Sequence, residues 1–322
     1  MSSRFPGVPH SILGCVTIQV ETEMGAGRTT ALPALGRVLL FQTGFWLWFA
    51  AYQWVWWPRL DAWRSGVRPQ LGWAGLFLDF TWIKAALTLL LLLAAARWLD
   101  RRRLRNYGYR ADSRALGLIV LGFVLGLVFN ALPRLADWAA GGGRLVEWFH
   151  VRTLPGSEGV PFAVAILPGF VNVALTAFWE EATFRAHPMK NLAEDPRRGF
   201  WAVVLPAALY FALAHALTPT AGSGFDLLAR CCMGLILGSL YYATGELALP
   251  MGVHAGGNFA VFSLFQEGPD ANACFVRLTP TETHAPHLYA VPVVLGATLA
   301  AVIWARRGSR CALRSSAPAP VS

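Results

Sequence analysis

The chain has 322 residues, 55% of them hydrophobic and only 14% charged, with 14 Trp and a mean hydropathy of +0.46. A soluble globular chain carries about 25% charge, so the composition excludes a water-soluble enzyme and implies an integral membrane protein. The formal net charge of +9 comes from Arg and Lys clustered beside apolar runs, where topology and anionic headgroups account for it, and no nucleic-acid partner is expected.

Residues 1–34 are polar and punctuated by Pro6, Pro9, Gly14, Gly25 and Gly27, without the basic start and short apolar core of a signal peptide. A disordered cytoplasmic tail is expected here, and Met24 is an alternative start. Apolar runs near the ~20 residues needed to cross a bilayer then follow. The first is 38–57, with Trp46, Trp48, Trp54, Trp56 and Trp57 as interfacial anchors. The second, 74–99, contains Lys84, which is read as satisfied by a neighbouring helix or by Asp79 rather than as catalytic. Arg101, Arg102, Arg103 and Arg105 after it read as a topogenic loop. The third run, 115–132, should end at Pro133, and a Gly-rich polar connection over 141–159 leads to the fourth, 160–179. The fifth to eighth are 200–217, 227–243, 247–265 and 288–304.

The expected architecture is therefore an all-α integral membrane protein, a bundle of about eight transmembrane helices over 35–305, with a second disordered cytoplasmic tail at 306–322. Eight spans put both termini on one side, and that side holds 18 Arg and Lys against 7 on the other. The positive-inside rule then makes both termini cytoplasmic, in the cell membrane. The five cysteines, Cys15, Cys231, Cys232, Cys274 and Cys311, are odd in number and lack metal-ligand spacing. Neither a disulfide framework nor a zinc knuckle is expected from them.

The fourth run closes on Phe178-Trp179-Glu180-Glu181-Ala182-Thr183-Phe184-Arg185, and ionisable groups at membrane depth are costly enough to mark function. On a helix Glu181 and Arg185 are four apart and pair, while Glu180 is turned about 100° away and faces a neighbouring helix. The bland alternative is that the carboxylates mark the wet end of a span. Two later helices each carry a polar pair at the same spacing: Phe211 with His215, and His254 with Asn258. Glu180 and His215 are equidistant from a turn signal at Glu194-Asp195-Pro196-Arg197-Arg198-Gly199, so an antiparallel hairpin brings them to one depth if the fourth helix continues to about Glu194. Such a set suits hydrolysis of an acyl or peptide bond. Glu180 and His215 would deprotonate a water, and His254 and Asn258 would donate to the oxyanion of a tetrahedral intermediate.

These three motifs, Glu180-Glu181 with Arg185, Phe211 with His215, and His254 with Asn258, resemble those of the CPBP family of intramembrane endopeptidases, also called the Abi family, which includes the type II CAAX prenyl proteases. The resemblance covers about 160–265, and each motif stands in family order. It implies a glutamate-dependent protease of about eight helices with a cavity open to the cytoplasm. In that picture Glu180 and His215 activate water, His254 and Asn258 form the oxyanion hole, and Glu181, Arg185 and Phe211 support them. The partners implied are the lipid bilayer and a membrane-associated peptide or protein substrate, lipidated or not. No cofactor is expected. A glutamate and two histidines are also a zinc ligand set, but no single helix offers two strong ligands, and zinc is disfavoured. Two other classes compete: a catalytically silent scaffold or bacteriocin self-immunity protein, and a proton-coupled transporter.

Overall fold

The computed structural model describes residues 32–77, 80–151, 159–216, 224–265, 273–280, 294–296 and 298–304. The expected tails, apart from residues 32–34, as well as Asp79 and the start of the eighth run lie outside these residues. Among the described residues the chain forms eight helices and one two-stranded ribbon. The helices are α1 (Ala34–Val67), α2 (Thr81–Leu99), α3 (Ser113–Ala139), α4 (Phe162–Leu192), α5 (Phe200–Ala216), α6 (Gly224–Thr244), α7 (Ala248–Phe259, continued by a π turn over Ala260–Leu264) and α8 (Val294–Trp304). Five of them, α1 to α4 and the Asp226–Thr244 part of α6, are long and apolar enough to cross a membrane. This is an all-α, membrane-type protein.

Several boundaries differ from the sequence reading, and the reasons are local. The first helix does not stop at Trp57 but runs on to Val67. A π turn over Tyr52–Trp56, in which the Trp57 N–H reaches back to the Tyr52 carbonyl, absorbs Pro58 without breaking the helix. The second begins at Thr81 rather than Ala74, because Arg68–Phe77 winds as a 3-10 segment. Pro133 does not end α3, which continues to Ala139; the helix forgoes only the bond that the residue 133 N–H would give to the Phe129 carbonyl, and the Arg134 guanidinium donates to the next carbonyl, that of Asn130, at 2.7 Å. The Gly-rich connection contains β1 (Gly143–Val151), which pairs antiparallel with β2 (Ala273–Pro280), with a register shift between Leu145 and Glu147. Two strands remote in sequence pair here, and a reading by local periodicity did not see them.

Two features of the bundle position the site. First, α3 and α7 cross with their backbones in contact. A methyl group added at Gly126 would overlap the Val253 carbonyl oxygen, and one at Gly256 would overlap that of Phe123. Gly122 and Gly252 likewise leave no room for a methyl group, so the crossing is a reciprocal pair of small-xxx-small faces, the arrangement that lets membrane helices approach most closely. His254 lies between Gly252 and Gly256 and inherits its place from this contact.

Second, the start of α1 and the ends of α2 and α4 meet around Asp100. The Asp100 carboxylate accepts from Arg37 at 3.0 Å, from Asn191 at 3.0 Å and from the Tyr107 hydroxyl, and His187 Nε2 lies 3.1 Å away. Arg37 and Arg102 both also pair with Glu194, and Phe41 stacks on His187 with ring centroids 4.1 Å apart. Burial pushes the Asp100 carboxyl up, but the His187 contact, the Tyr107 hydroxyl and the Arg102 charge outweigh it and hold the group well below the usual carboxylate range. The network fastens the last turn of α4, about two turns beyond Glu180.

Candidate active site

α4 reaches Leu192 as one helix, so the expected continuation beyond Arg185 is present. It does so through a π turn, Ala182–Ala186, which like the one in α1 directly precedes an X-Pro step: the His187 N–H bonds the Ala182 carbonyl and Pro188 follows. The turn falls directly after the two carboxylates. π turns inside α-helices recur at functional sites, because they rotate the residues on either side out of α register.

Glu181 and Arg185 form the expected pair, with Arg185 Nη1 donating to Glu181 Oε1 at 2.9 Å and both side chains 0% exposed. The Arg185 guanidinium carbon also sits 4.2 Å from the centroid of the Phe211 ring, a cation–π contact of the kind that gains strength when desolvated. Phe211 in turn meets the His215 ring edge-on at 4.5 Å and the His254 ring at 6.0 Å. The aromatic residue of the second motif is thus the floor on which one cation and two imidazoles rest.

Glu180 faces away from this pair, toward the other helices. Its Oε2, buried and without a hydrogen-bond partner, lies 3.5 Å from His254 Nε2 and 4.0 Å from His215 Nε2. Glu180 on α4, His215 on α5 and His254 on α7 therefore converge, as the hairpin argument required of the first two. His215 Nδ1 is 2.8 Å from the Phe211 carbonyl. A carbonyl only accepts, so Nδ1 carries a hydrogen, and in the neutral ring Nε2 turns a lone pair toward Glu180. Asn258 stands one turn beyond His254 on α7, half-buried.

One contact was not anticipated from the sequence. His254 Nδ1 lies 2.8 Å from Glu181 Oε1, so Glu181 holds a histidine on another helix as well as its own arginine. No spacing rule signals a bond between residues 73 apart. Lys84 is met by neighbouring helices, the first of the two expected alternatives: its Nζ lies 5.4 Å from the Tyr52 ring centroid, 5.9 Å from that of Trp179 and 6.0 Å from that of Phe49. A box of aromatic faces surrounds it, and Asp79 lies outside the described residues. Among the described residues no group of three or more His, Cys, Asp or Glu side chains is arranged to hold a metal ion.

Residues 162–260 match the family model described as type II CAAX prenyl endopeptidase Rce1-like. The matched segment contains all three motifs and every residue of the cluster above, and the family is the one the motifs resemble. The match supports an endopeptidase of the CAAX-protease type in general, over that segment of the chain, and five of the helices are long and apolar enough to span a bilayer. No curated protein and no solved structure matches the chain.

Proposed function

We propose that this protein is an intramembrane glutamic endopeptidase in which Glu180 and His215 activate a water molecule and His254 and Asn258 stabilise the oxyanion. The observation that carries the reading is the unpartnered, buried Glu180 Oε2 with two imidazole nitrogens at 3.5 and 4.0 Å. A buried carboxylate oxygen with no donor is costly to maintain, and a water between Glu180 and the His215 lone pair supplies the missing hydrogen bond.

The water oxygen attacks the scissile carbonyl carbon while its proton passes to Glu180 or His215. The carbonyl oxygen becomes an oxyanion facing His254 Nε2 and the Asn258 amide. Because His254 Nδ1 is committed to Glu181, Nε2 donates when the ring carries both hydrogens, which makes His254 a charged donor to the oxyanion. The C–N bond then breaks and the proton held by Glu180 or His215 goes to the departing amine. Arg185, bound to Glu181 and seated on Phe211, fixes this frame without touching substrate.

The substrate class we propose is a membrane-associated peptide or protein, lipidated or not, entering from the cytoplasmic side. The test is a comparison of membrane preparations containing the parent protein or Glu180→Gln, with new chain ends read by mass spectrometry. Fragments released by the parent and absent with Glu180→Gln are expected. Identical fragments in both would remove Glu180 from the reaction, and an unchanged cellular role for Glu180→Gln would favour a silent scaffold.

A further inference from the structure

We infer that Gln42 and Tyr210 are positioning residues for the carboxylate pair, a reading that rests on Glu180 as the catalytic base. In an α-helix the His187 N–H would bond the Thr183 carbonyl. Here it bonds the Ala182 carbonyl instead, and Pro188, next in line, has no N–H to give. The Thr183 carbonyl, on a residue 0% exposed, is thereby left without a partner from its own helix, which a buried backbone group does not tolerate. Gln42 Nε2 on α1 donates to it at 2.8 Å.

The bond is the last link of a chain. Gln42 Oε1 accepts from the Tyr210 hydroxyl at 2.6 Å, and the Tyr210 oxygen accepts from the Trp46 indole N–H at 2.5 Å. Every donor in the sequence Trp46, Tyr210, Gln42, Thr183 has one acceptor, and bonds polarised in one direction reinforce one another. Only a side chain with an acceptor and a donor on one terminal group fits the middle position. Leucine offers neither and a carboxylate lacks the donor.

The chain joins three helices at the place where the site is sensitive. Thr183 lies in the π turn between Glu181 and Arg185, and Tyr210 immediately precedes Phe211, the ring beneath Arg185. Phe184 packs against both Tyr210 and Phe211, with centroids 5.1 and 5.3 Å apart. Gln42 and Tyr210 thus set the rotation and depth of α4 against α5, which is the relation that places Glu180 against His215. A displacement of about 1 Å in such a constellation costs on the order of 100-fold in rate.

The test uses the purified full chain in detergent. Turnover is read on a farnesylated fluorogenic peptide ending in Cys-aliphatic-aliphatic-X, alongside substrate-free hydrogen exchange over residues 182–192. Gln42→Leu should lower kcat about tenfold or more with KM within about twofold, since geometry and not binding is lost. Tyr210→Phe, which keeps the ring, should lower kcat less, and the double variant should match Gln42→Leu alone because the two act in one chain. Exchange over 182–192 should rise in both single variants while that of 248–264 holds. Parental kcat in Gln42→Leu, multiplying losses in the double variant, or unchanged exchange would each overturn the inference. If Gln42→Leu does not accumulate, Tyr210→Phe decides by the same criteria, and if the parent leaves the peptide intact the exchange result decides alone. An active Glu180→Gln would instead sink the reading of Glu180, whereas an inactive Glu180→Gln beside a fully active Gln42→Leu would sink the positioning role only.

Discussion

Glu181 on α4 and His254 on α7 are joined by a 2.8 Å contact between Oε1 and Nδ1, and the same oxygen accepts from Arg185 at 2.9 Å. One carboxylate oxygen therefore sets both an arginine of its own helix and an imidazole of another. Glu181→Gln keeps the shape but leaves Arg185, 0% exposed, without its countercharge. Breaking a buried pair in this way costs about 3–5 kcal/mol, so we expect lower yield and a lower midpoint of thermal unfolding in detergent, with activity falling because His254 is released. Glu180→Gln, by contrast, should fold as the parent does and be inactive. A stable, inactive Glu181→Gln beside an active Glu180→Gln would reverse the two roles.

The crossing of α3 and α7 leaves no room for a side chain. Gly126→Ala or Gly256→Ala places a methyl group on a backbone carbonyl oxygen, and the helices must part. Overpacking of this kind costs about 1–3 kcal/mol. Both variants should unfold at lower temperature and lose activity through displacement of His254, whereas Gly117→Ala, with open space at that position, serves as the neutral control. Parental stability in Gly126→Ala would show that the crossing is looser than described.

Asp100 is held well below the usual carboxylate range by its donors. A depressed carboxyl contributes stability that is fully present above its unfolded value of about 4 and is lost as pH falls from there toward the folded value. Asp100→Asn should thus be less stable than the parent at neutral pH, and the gap between them should close below about pH 4. A gap that persists unchanged in acid would mean that packing rather than charge is responsible.

Orientation follows from the charge count of 18 against 7 and is proposed with both termini cytoplasmic. Cys15 and Cys311 lie near the two ends of the sequence. An impermeant thiol reagent should label neither in intact cells and both once the cytoplasmic face is exposed. Labelling of either in intact cells would invert the protein and move the mouth of the site to the opposite side.

Catalysis by Glu180 and His215 is proposed to need no metal. Activity should survive a strong chelator, and the purified protein should carry no stoichiometric zinc. Loss on chelation with recovery on adding zinc alone would recast Glu180, His215 and His254 as ligands, with Asn258 in a secondary place.

The sequence by itself determined that the chain is a helical membrane protein, because a run of some 20 apolar residues has few other stable outcomes. It also determined the pairing of Glu181 with Arg185 and the convergence of Glu180 with His215, since the first follows from helical pitch and the second from equal distance to a turn. Tertiary structure decided the rest. Pro133 was legible as a break, yet α3 passes through it, and α1 and α4 pass through Pro58 and Pro188 with a π turn just before each. The pairing of Gly143–Val151 with Ala273–Pro280 joins segments whose local patterns name no partner. The bonds of His254 to Glu181 and of Gln42 to Thr183 link residues 73 and 141 apart. Periodicity reports which face of a helix is buried, but the partner across that face is chosen by how the helices pack, here by glycine surfaces on α3 and α7 and by a backbone carbonyl that its own helix leaves unbonded.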